Sequence, residues 1–182
     1  MLKIVLVPNK VLTTPVLPVE TIDKKIVNLV EEMKLTLLSQ HDPQGVGLAA
    51  PQVGVNLAIF IIKPTQKSKI EVFINPKIID QIRLKPFVSN TSSKPIVKKG
   101  TPLEGCLSIP RIWSPVKRDK KILLEYQTMN GEKKTEWFKG FKAVIIQHEV
   151  DHLDGILFTQ RSLEQNSPLF EEKDGELEKL KY

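Results

Sequence analysis

The 182-residue sequence predicts an α+β fold in which mixed or antiparallel β-sheets surround a central α-helix. Three observations favour this class. Segments rich in β-branched and aromatic residues occupy the middle of the chain, a mostly apolar helical segment follows them, and no repeating βαβ pattern links them. A chain of this length is expected to form a single domain that spans residues 1–182.

The N-terminal half combines short apolar segments with one amphipathic helix. Residues 1–7 are predicted to form a short strand, because they are apolar and stop at a proline. Apolar side chains recur at helical spacing through residues 21–39, which predicts a helix with one buried face. Two strands rich in β-branched residues are predicted next, at residues 56–63 and 70–75.

The second half opens with a long segment of turn-forming residues. Residues 80–103 contain three Pro, three Ser, one Gly and an Asn-Thr pair, and are predicted to form a long loop that could contain a short strand pair. Residues 121–126 and 135–138 are predicted as strands. Asn130-Gly131 between them favours a hairpin turn, because both residues tolerate a positive φ.

A second helix and a polar tail complete the chain. Phe141–Leu153 is mostly apolar, so we predict a buried helix, with Gly155 placed to end it. Residues 162–182 are predicted to be a variable polar tail that forms a short helix or frays.

The composition of the chain argues against a membrane protein, a disulfide-linked protein and a specific nucleic-acid-binding protein. Hydrophobic residues make up 41% of the chain and no apolar run approaches the roughly 20 residues of a membrane helix, so no membrane partner is expected. The N-terminus lacks the features of a signal or transit peptide, and the single cysteine cannot form an internal disulfide. The net charge is +6, but the basic residues are scattered without interleaved aromatics, so no specific nucleic-acid partner is expected.

Two of the three histidines lie one turn apart on the predicted buried helix. His148 and His152 can therefore reach a single metal ion from one helix face. Glu149 lies between them, where a carboxylate can take a proton from a metal-bound water. This pattern predicts a metal-dependent hydrolase site, and the alternative is a pair of packed or surface histidines.

Such a site needs a third protein ligand, and the sequence offers several. In the zinc-protease pattern HExxHxxGxxH the last position is Phe158 here, which cannot bind metal. Glu164 or Glu171 could supply the ligand in another class of protease. Cys106 is a further candidate, because thiolates bind first-row divalent metals well, although a lone cysteine is commonly just a packed apolar residue.

Three segments resemble the motifs of the peptide deformylase family, in the family's order. Residues 45–52, Gly-Val-Gly-Leu-Ala-Ala-Pro-Gln, resemble GxGLAAxQ. Residues 104–108 match EGCLS, and residues 147–152 match QHExDH. The resemblance extends from the start of the chain to about Arg161. One such motif could arise by chance, whereas three in order are specific to this family.

The resemblance implies a catalytic metal centre on the second helix. A water would complete the coordination of a metal whose protein ligands are Cys106, His148 and His152. Glu149 would be the general acid and base, while the Gln52 amide and the Leu107 backbone N–H would stabilise the oxyanion. The implied activity is removal of the N-formyl group from the N-terminal methionine of nascent polypeptides, with release of formate.

The family also implies where substrate binds. An apolar pocket would receive the methionine side chain, and its walls would include Val46, Phe141, Val144 and Ile145. The glycine-rich backbone of the first motif would hold the peptide as an added extended strand. The other implied substrate-binding residues are Gly45, Gly47, Glu104 and Gly105. Arg118 matches a family arginine and is expected to pair with Glu104.

The resemblance implies one divalent metal ion per chain and formylated peptides as partners. Fe(II) is the expected native ion, and Zn(II), Ni(II) and Co(II) are alternatives for the same ligands. N-formylmethionyl peptides are the expected substrates, and the ribosome is a candidate partner near nascent chains. We expect a monomeric, bacterial-type cytoplasmic protein.

Two other functions stay open at this point. A zinc endopeptidase of another class would not depend on Cys106, and a metal-stabilised binding module would not need Glu149. Residues 111–113 also depart from many family members, and Trp113 among them is either a substrate platform or a packed aromatic. Residues 171–182 are net acidic, which disfavours a basic docking helix at the C-terminus.

Overall fold

The computed structural model describes residues 1–42, 44–82 and 102–181. Within these ranges the predicted α+β class is confirmed, and no helix there is long and apolar enough to cross a membrane. The helices are α1 (Lys24–Leu38), α2 (Phe141–Leu153) and α3 (Phe158–Glu164). Two 3₁₀ turns cover Lys10–Thr13 and Ala50–Val53.

The described strands form two sheets whose neighbouring strands are all antiparallel. The five-stranded sheet has the order β1-β2-β3-β6-β7, with bounds Gly47–Ala49, Ile59–Ile62, Glu71–Ile82, Lys121–Gln127 and Lys133–Lys139. The four-stranded sheet has the order β4-β5-β8-β9, with bounds Glu104–Cys106, Ile109–Ser114, Phe170–Lys173 and Glu176–Lys179.

The five-stranded sheet lies between α1 and α2. Strand β2 shows why, because its side chains alternate between the two faces of the sheet. Ile59 and Ile61 pack in a cluster with the apolar face of α1, whereas Phe60 and Ile62 pack in a cluster with α2. All four side chains are fully buried. Helix α2 also contacts the four-stranded sheet, because Sγ of Cys106 on β4 lies 3.2 Å from Nε2 of His152, and the prediction of a central helix among β-sheets is confirmed.

Local sequence signals determine where both long helices begin and end. Asp23 caps α1, since its Oδ1 accepts hydrogen bonds from the backbone N–H groups of Lys25 and Ile26 at 2.9 and 3.0 Å. Helix α2 has the predicted bounds. After it, Gly155 has a φ of +72°, and a Cβ there would lie 2.8 Å from the backbone carbon of Thr13. Only glycine fits this position, and the chain turns away from α2 there.

The hairpin predicted around Asn130-Gly131 joins β6 and β7. Its loop runs between the paired residues Gln127 and Lys133, and Gly131 takes a φ of +78°. Both strands extend beyond their predicted limits, because the backbone pairing continues to the ends of the loop.

The predicted strand at residues 1–7 is wrong. The backbone N–H of Val5 donates to Gln52 O at 2.8 Å, and that of Val7 donates to Ser108 O at 3.1 Å. Because these bonds reach different elements, the segment forms no ladder with a single partner strand.

The predicted polar tail at residues 162–182 is also incorrect in part. After α3, strands β8 and β9 form a hairpin whose turn residues Asp174 and Gly175 have φ values of +51° and +82°. An Asp-Gly pair between two short strands is a strong hairpin signal, so the sequence did contain this information. In the predicted long loop, residues 80–82 belong to β3, and residues 83–101 lie outside the described part of the chain.

Candidate metal centre

Three side chains that could hold a metal ion meet where β4 ends against α2. A ligand atom from each of Cys106, His148 and His152 lies within 4.8 Å of the other two. The Sγ of Cys106 is 3.2 Å from Nε2 of His152, and both residues are buried. One sulfur and two imidazole nitrogens at this spacing suit a divalent first-row metal ion.

The charges within this cluster favour the thiolate. Burial alone would raise the pKa of the Cys106 thiol, but the His152 and His148 imidazoles outweigh burial and hold that pKa well below its usual range. Burial would likewise lower the pKa of His148, yet its hydrogen bonds with Cys106 and Glu104 raise it well above the ordinary value. Because thiolate is the form that binds metal, the donor set fits such an ion.

Glu104 orients the His148 ring through a hydrogen bond with Nδ1. Its Oε2 lies 3.1 Å from Nδ1 of His148, which leaves Nε2 of that ring available to a metal. Arg118 donates to both carboxylate oxygens of Glu104 at 2.9 and 3.0 Å, so the predicted pair is confirmed. Burial would raise the pKa of Glu104, but His148 and Arg118 lower it to about 2.

Asp151 extends this network to α3. Its carboxylate accepts hydrogen bonds from Arg118 at 2.5 Å and from Arg161 at 2.7 Å. Asp151 is buried on α2 beside His152, so the two arginines connect α2 to the surrounding elements. The sequence motif QHExDH contained Asp151, but sequence reasoning gave it no role because neither arginine is near it in the chain.

Glu149 is a buried carboxylate on the same helix. It is 3% exposed, and its Oε2 has no hydrogen-bond partner among the described residues. Burial is the main cause that raises its pKa, to about 7, although His148 and His152 act in the opposite direction. Gly47 lies directly against it, since a Cβ at Gly47 would be 2.2 Å from Glu149 Oε1. A carboxylate with this pKa can exchange a proton near neutral pH.

Gln52 points its amide nitrogen toward the cluster. Its Oε1 accepts a hydrogen bond from the Ala49 backbone N–H at 2.9 Å, which fixes the orientation of the amide. Its Nε2 then lies 3.4 Å from Cys106 Sγ and 3.3 Å from Ser108 Oγ. The role of Ser108 in holding this amide was not anticipated from the sequence. Leu107 lies between β4 and β5 and lines the cavity into which the cluster opens.

The cluster opens into a cavity of about 240 Å³. His148, Glu149 and Gln52 line it together with all eight residues predicted to bind substrate, namely Gly45, Val46, Gly47, Glu104, Gly105, Phe141, Val144 and Ile145. Phe141 is 58% exposed at its rim. Trp113, whose role the sequence left open, also lines the cavity. The space suits a ligand with an apolar side chain and a polar group next to the three donors.

Glu164 and Glu171, the other candidate ligands, are not part of the described donor cluster. Phe158, which holds the last position of the zinc-protease pattern, is buried with its ring stacked 6.1 Å from the ring of His148. Glu164 pairs with Arg161 at 3.4 Å, and Glu171 pairs with a lysine. Among the described residues the structure thus brings Cys106, and neither glutamate, to the two histidines.

Comparison with known proteins gives consistent matches along the chain. The family model for polypeptide deformylases matches residues 1–167. A peptide deformylase of Desulfotalea psychrophila is 34% identical over 171 residues, covering 91% of this chain and 90% of the relative. One from Dictyoglomus turgidum is 41% identical over 157 residues, covering 85% and 88%. The Met-Ala-Ser-bound crystal structure of a class I type b peptide deformylase from Acinetobacter baumannii has a TM-score of 0.71 at 30% identity, covering 88% of this chain and 98% of that one.

Proposed function

The chain belongs to the polypeptide deformylase family, and we propose that it hydrolyses the N-formyl group of N-formylmethionyl peptides. The products are formate and a peptide with a free amino terminus. One observation carries this proposal: the buried Glu149 carboxylate lies beside a Cys-His-His donor set at the end of a largely apolar cavity.

Cys106, His148 and His152 would hold the divalent ion. When bound, that ion supplies Lewis acidity, which polarises a carbonyl and lowers the pKa of a neighbouring water. We propose Fe(II) as the native ion, with Zn(II), Ni(II) and Co(II) as substitutes, because sulfur and imidazole donors accept all four.

Glu149 performs the proton transfers. It takes a proton from the water as the water oxygen attacks the formyl carbon, and it later gives that proton to the amine nitrogen as the C–N bond breaks. The negative charge that develops on the formyl oxygen needs fixed donors. The Gln52 amide and the backbone N–H of Leu107 provide them, and the bond from Ala49 already holds the Gln52 amide in place.

The cavity would bind the formylated methionine. Val46, Val144 and Ile145 contribute apolar surface beside the donors, which suits a thioether side chain. The backbone around Gly45 and Gly47 would pair with the peptide as an added strand. Support comes from the Acinetobacter baumannii relative, whose crystal structure contains bound Met-Ala-Ser.

The remaining expectations about the whole protein are part of the same proposal. We propose a monomeric, cytoplasmic, single-domain enzyme that meets formylated chains near the ribosome. Because residues 171–182 are net acidic, a basic C-terminal docking helix is not part of this proposal.

A product assay tests the proposal against the endopeptidase alternative. Protein purified anaerobically with Fe(II) is given formyl-Met-Ala-Ser, and formate and free amino termini are measured over time. Deformylation releases both in equal amounts and leaves Met-Ala-Ser intact, whereas a peptidase cleaves within the peptide. The N-acetyl analogue serves as the control, since it offers an amide without a formyl group. Absence of formate from a folded, metal-loaded sample would refute the proposal.

A further inference from the structure

Trp113 forms an aromatic wall of the cavity that the catalytic steps leave unused. It lies on β5, opposite the strand that carries Cys106. A Cβ built on Gly105 would meet three atoms of the indole ring at 2.7, 2.8 and 3.1 Å. The ring therefore covers one face of Gly105, and a larger residue at that position would displace it.

The C-terminal hairpin fixes the orientation of this indole. Its Nε1–H donates a hydrogen bond to Glu172 Oε2 on β8 at 2.7 Å, and β8 also pairs with β5 through Trp113 and Phe170. Next to Trp113, the buried Ser114 hydroxyl donates to the Pro168 carbonyl at 2.9 Å. Both the ring and its backbone are thus held by the chain just after α3.

The indole presents an apolar surface to a ligand. An indole has a single hydrogen-bonding group, the N–H, and Glu172 occupies it. The surface left to the cavity is then an aromatic face, which prefers aromatic or large apolar partners.

The position of the ring along the cavity follows from chain geometry. Gly105 precedes Cys106, so their Cα atoms are about 3.8 Å apart. An extended peptide advances about 3.3 Å per residue. The indole covers Gly105, so it lies up to roughly 7 Å from Cys106, one residue step plus a van der Waals contact. Two residues of extended peptide span about the same distance, so a peptide whose formyl group lies at the metal donors would bring the residue after methionine to the region of the indole.

We propose that Trp113 is a specificity-determining residue for the position after the formylated methionine, and that Glu172 is its positioning residue. The preferred substrates are N-formylmethionyl peptides with an aromatic or large apolar second residue. This inference rests on the proposed deformylase function, and it adds a preference that the catalytic residues do not determine.

A pair of peptides measures this preference. The kcat/KM for formyl-Met-Phe-Ser is expected to exceed that for formyl-Met-Ala-Ser by about two- to tenfold in the wild type, the range typical of one aromatic contact. Trp113→Ala should bring this ratio close to one, with the change in KM rather than in kcat. A ratio that Trp113→Ala leaves at the wild-type value would overturn the proposal.

Variants of Glu172 test its positioning role. Glu172→Leu should lower the ratio, because the indole loses its acceptor, whereas Glu172→Gln should restore it, because an amide oxygen still accepts from Nε1–H. Glu171→Leu is the matched control, since the Glu171 carboxylate pairs with Lys173 on the same hairpin. If Glu172→Leu and Glu171→Leu behave alike, Glu172 does not position the indole.

Fluorescence separates this inference from the proposed function. The chain has two tryptophans, so Trp113 is observed alone in a Trp137→Phe background. Binding of Met-Phe-Ser should change Trp113 emission at lower concentration than binding of Met-Ala-Ser, without any need for turnover. Failure to hydrolyse either formyl peptide refutes the proposed function, whereas equal emission responses to the two products refute the role of Trp113.

Discussion

Replacing Gly47 by alanine would displace Glu149, the proposed general base, without changing its chemistry. Gly47 is the first residue of β1, and a Cβ built on it would point at the Glu149 carboxylate. A Cβ at this position would lie 2.2 Å from Glu149 Oε1 and 2.8 Å from its Cδ. Since a carbon and an oxygen normally approach no closer than about 3.3 Å, the carboxylate must retreat by about 1 Å.

A displacement of this size predicts a large loss of rate. Moving a catalytic group by about 1 Å can lower kcat about a hundredfold, so the kcat of the Gly47→Ala variant should fall by about that factor. The fold should survive, because the displaced atoms belong to the far end of a flexible side chain. Metal content should also stay at the wild-type level, because the three atoms nearest the new methyl group belong to Glu149 and Ile145 and not to a donor.

The assay compares kcat with formyl-Met-Ala-Ser, metal content and urea unfolding in parallel. Gly131→Ala is the control. Its Cβ meets nothing within 4 Å, and its φ of +78° should cost about 1 kcal/mol of stability without affecting kcat. A Gly47→Ala protein that retains metal and turns over at the wild-type rate would refute the reasoning about the carboxylate.

Three further predictions follow from the donors and the buried network. The Cys106→Ala variant should lose most of its bound metal. The Glu149→Gln variant should keep its metal, while its kcat falls about a hundred- to ten-thousandfold. Elemental analysis measures the metal, and equal metal content in the two variants would contradict the ligand assignment. The Arg118→Ala variant leaves the buried carboxylates of Glu104 and Asp151 without their shared cation. Urea unfolding should therefore show a free energy of unfolding lower by about 3–5 kcal/mol, and a decrease below about 1 kcal/mol would argue against the network. The pKa of Glu104 is lowered from 4.5 to about 2, so in the metal-free protein its stabilisation is complete above pH 4.5 and is lost as pH falls toward 2. The Glu104→Gln variant should show a flatter dependence of unfolding free energy on pH between about 4.5 and 2. An unchanged slope in that range would contradict this prediction.

The parts of the fold predicted from sequence are those that local patterns determine. The bounds of α2 follow from an apolar segment ended by Gly155, and the β6–β7 hairpin follows from Asn130-Gly131. The prediction of a strand at residues 1–7 was wrong because apolar composition indicates burial but does not indicate a partner strand. Its backbone bonds instead go to two different elements.

The site divides in the same way. The histidine spacing on α2 predicts two donors, but the spacing does not select Cys106 over Glu164 or Glu171 as the third, and in the sequence only the resemblance of residues 104–108 to EGCLS does so. That selection depends on how β4 is placed against α2, which is a tertiary property. Likewise, the bond between Trp113 and Glu172 joins residues 59 positions apart, so only the folded chain reveals it.

The most direct test of metal-dependent deformylation is a titration of activity with metal. The protein is freed of metal by a chelator, Co(II) is added back in steps under anaerobic conditions, and formate release from formyl-Met-Ala-Ser is measured at each step. With the centre formed by Cys106, His148 and His152, the rate should start near zero, rise linearly and reach a plateau at about one ion per chain. Full formate release by the metal-free protein, or a rate that does not respond to added metal, would contradict the account.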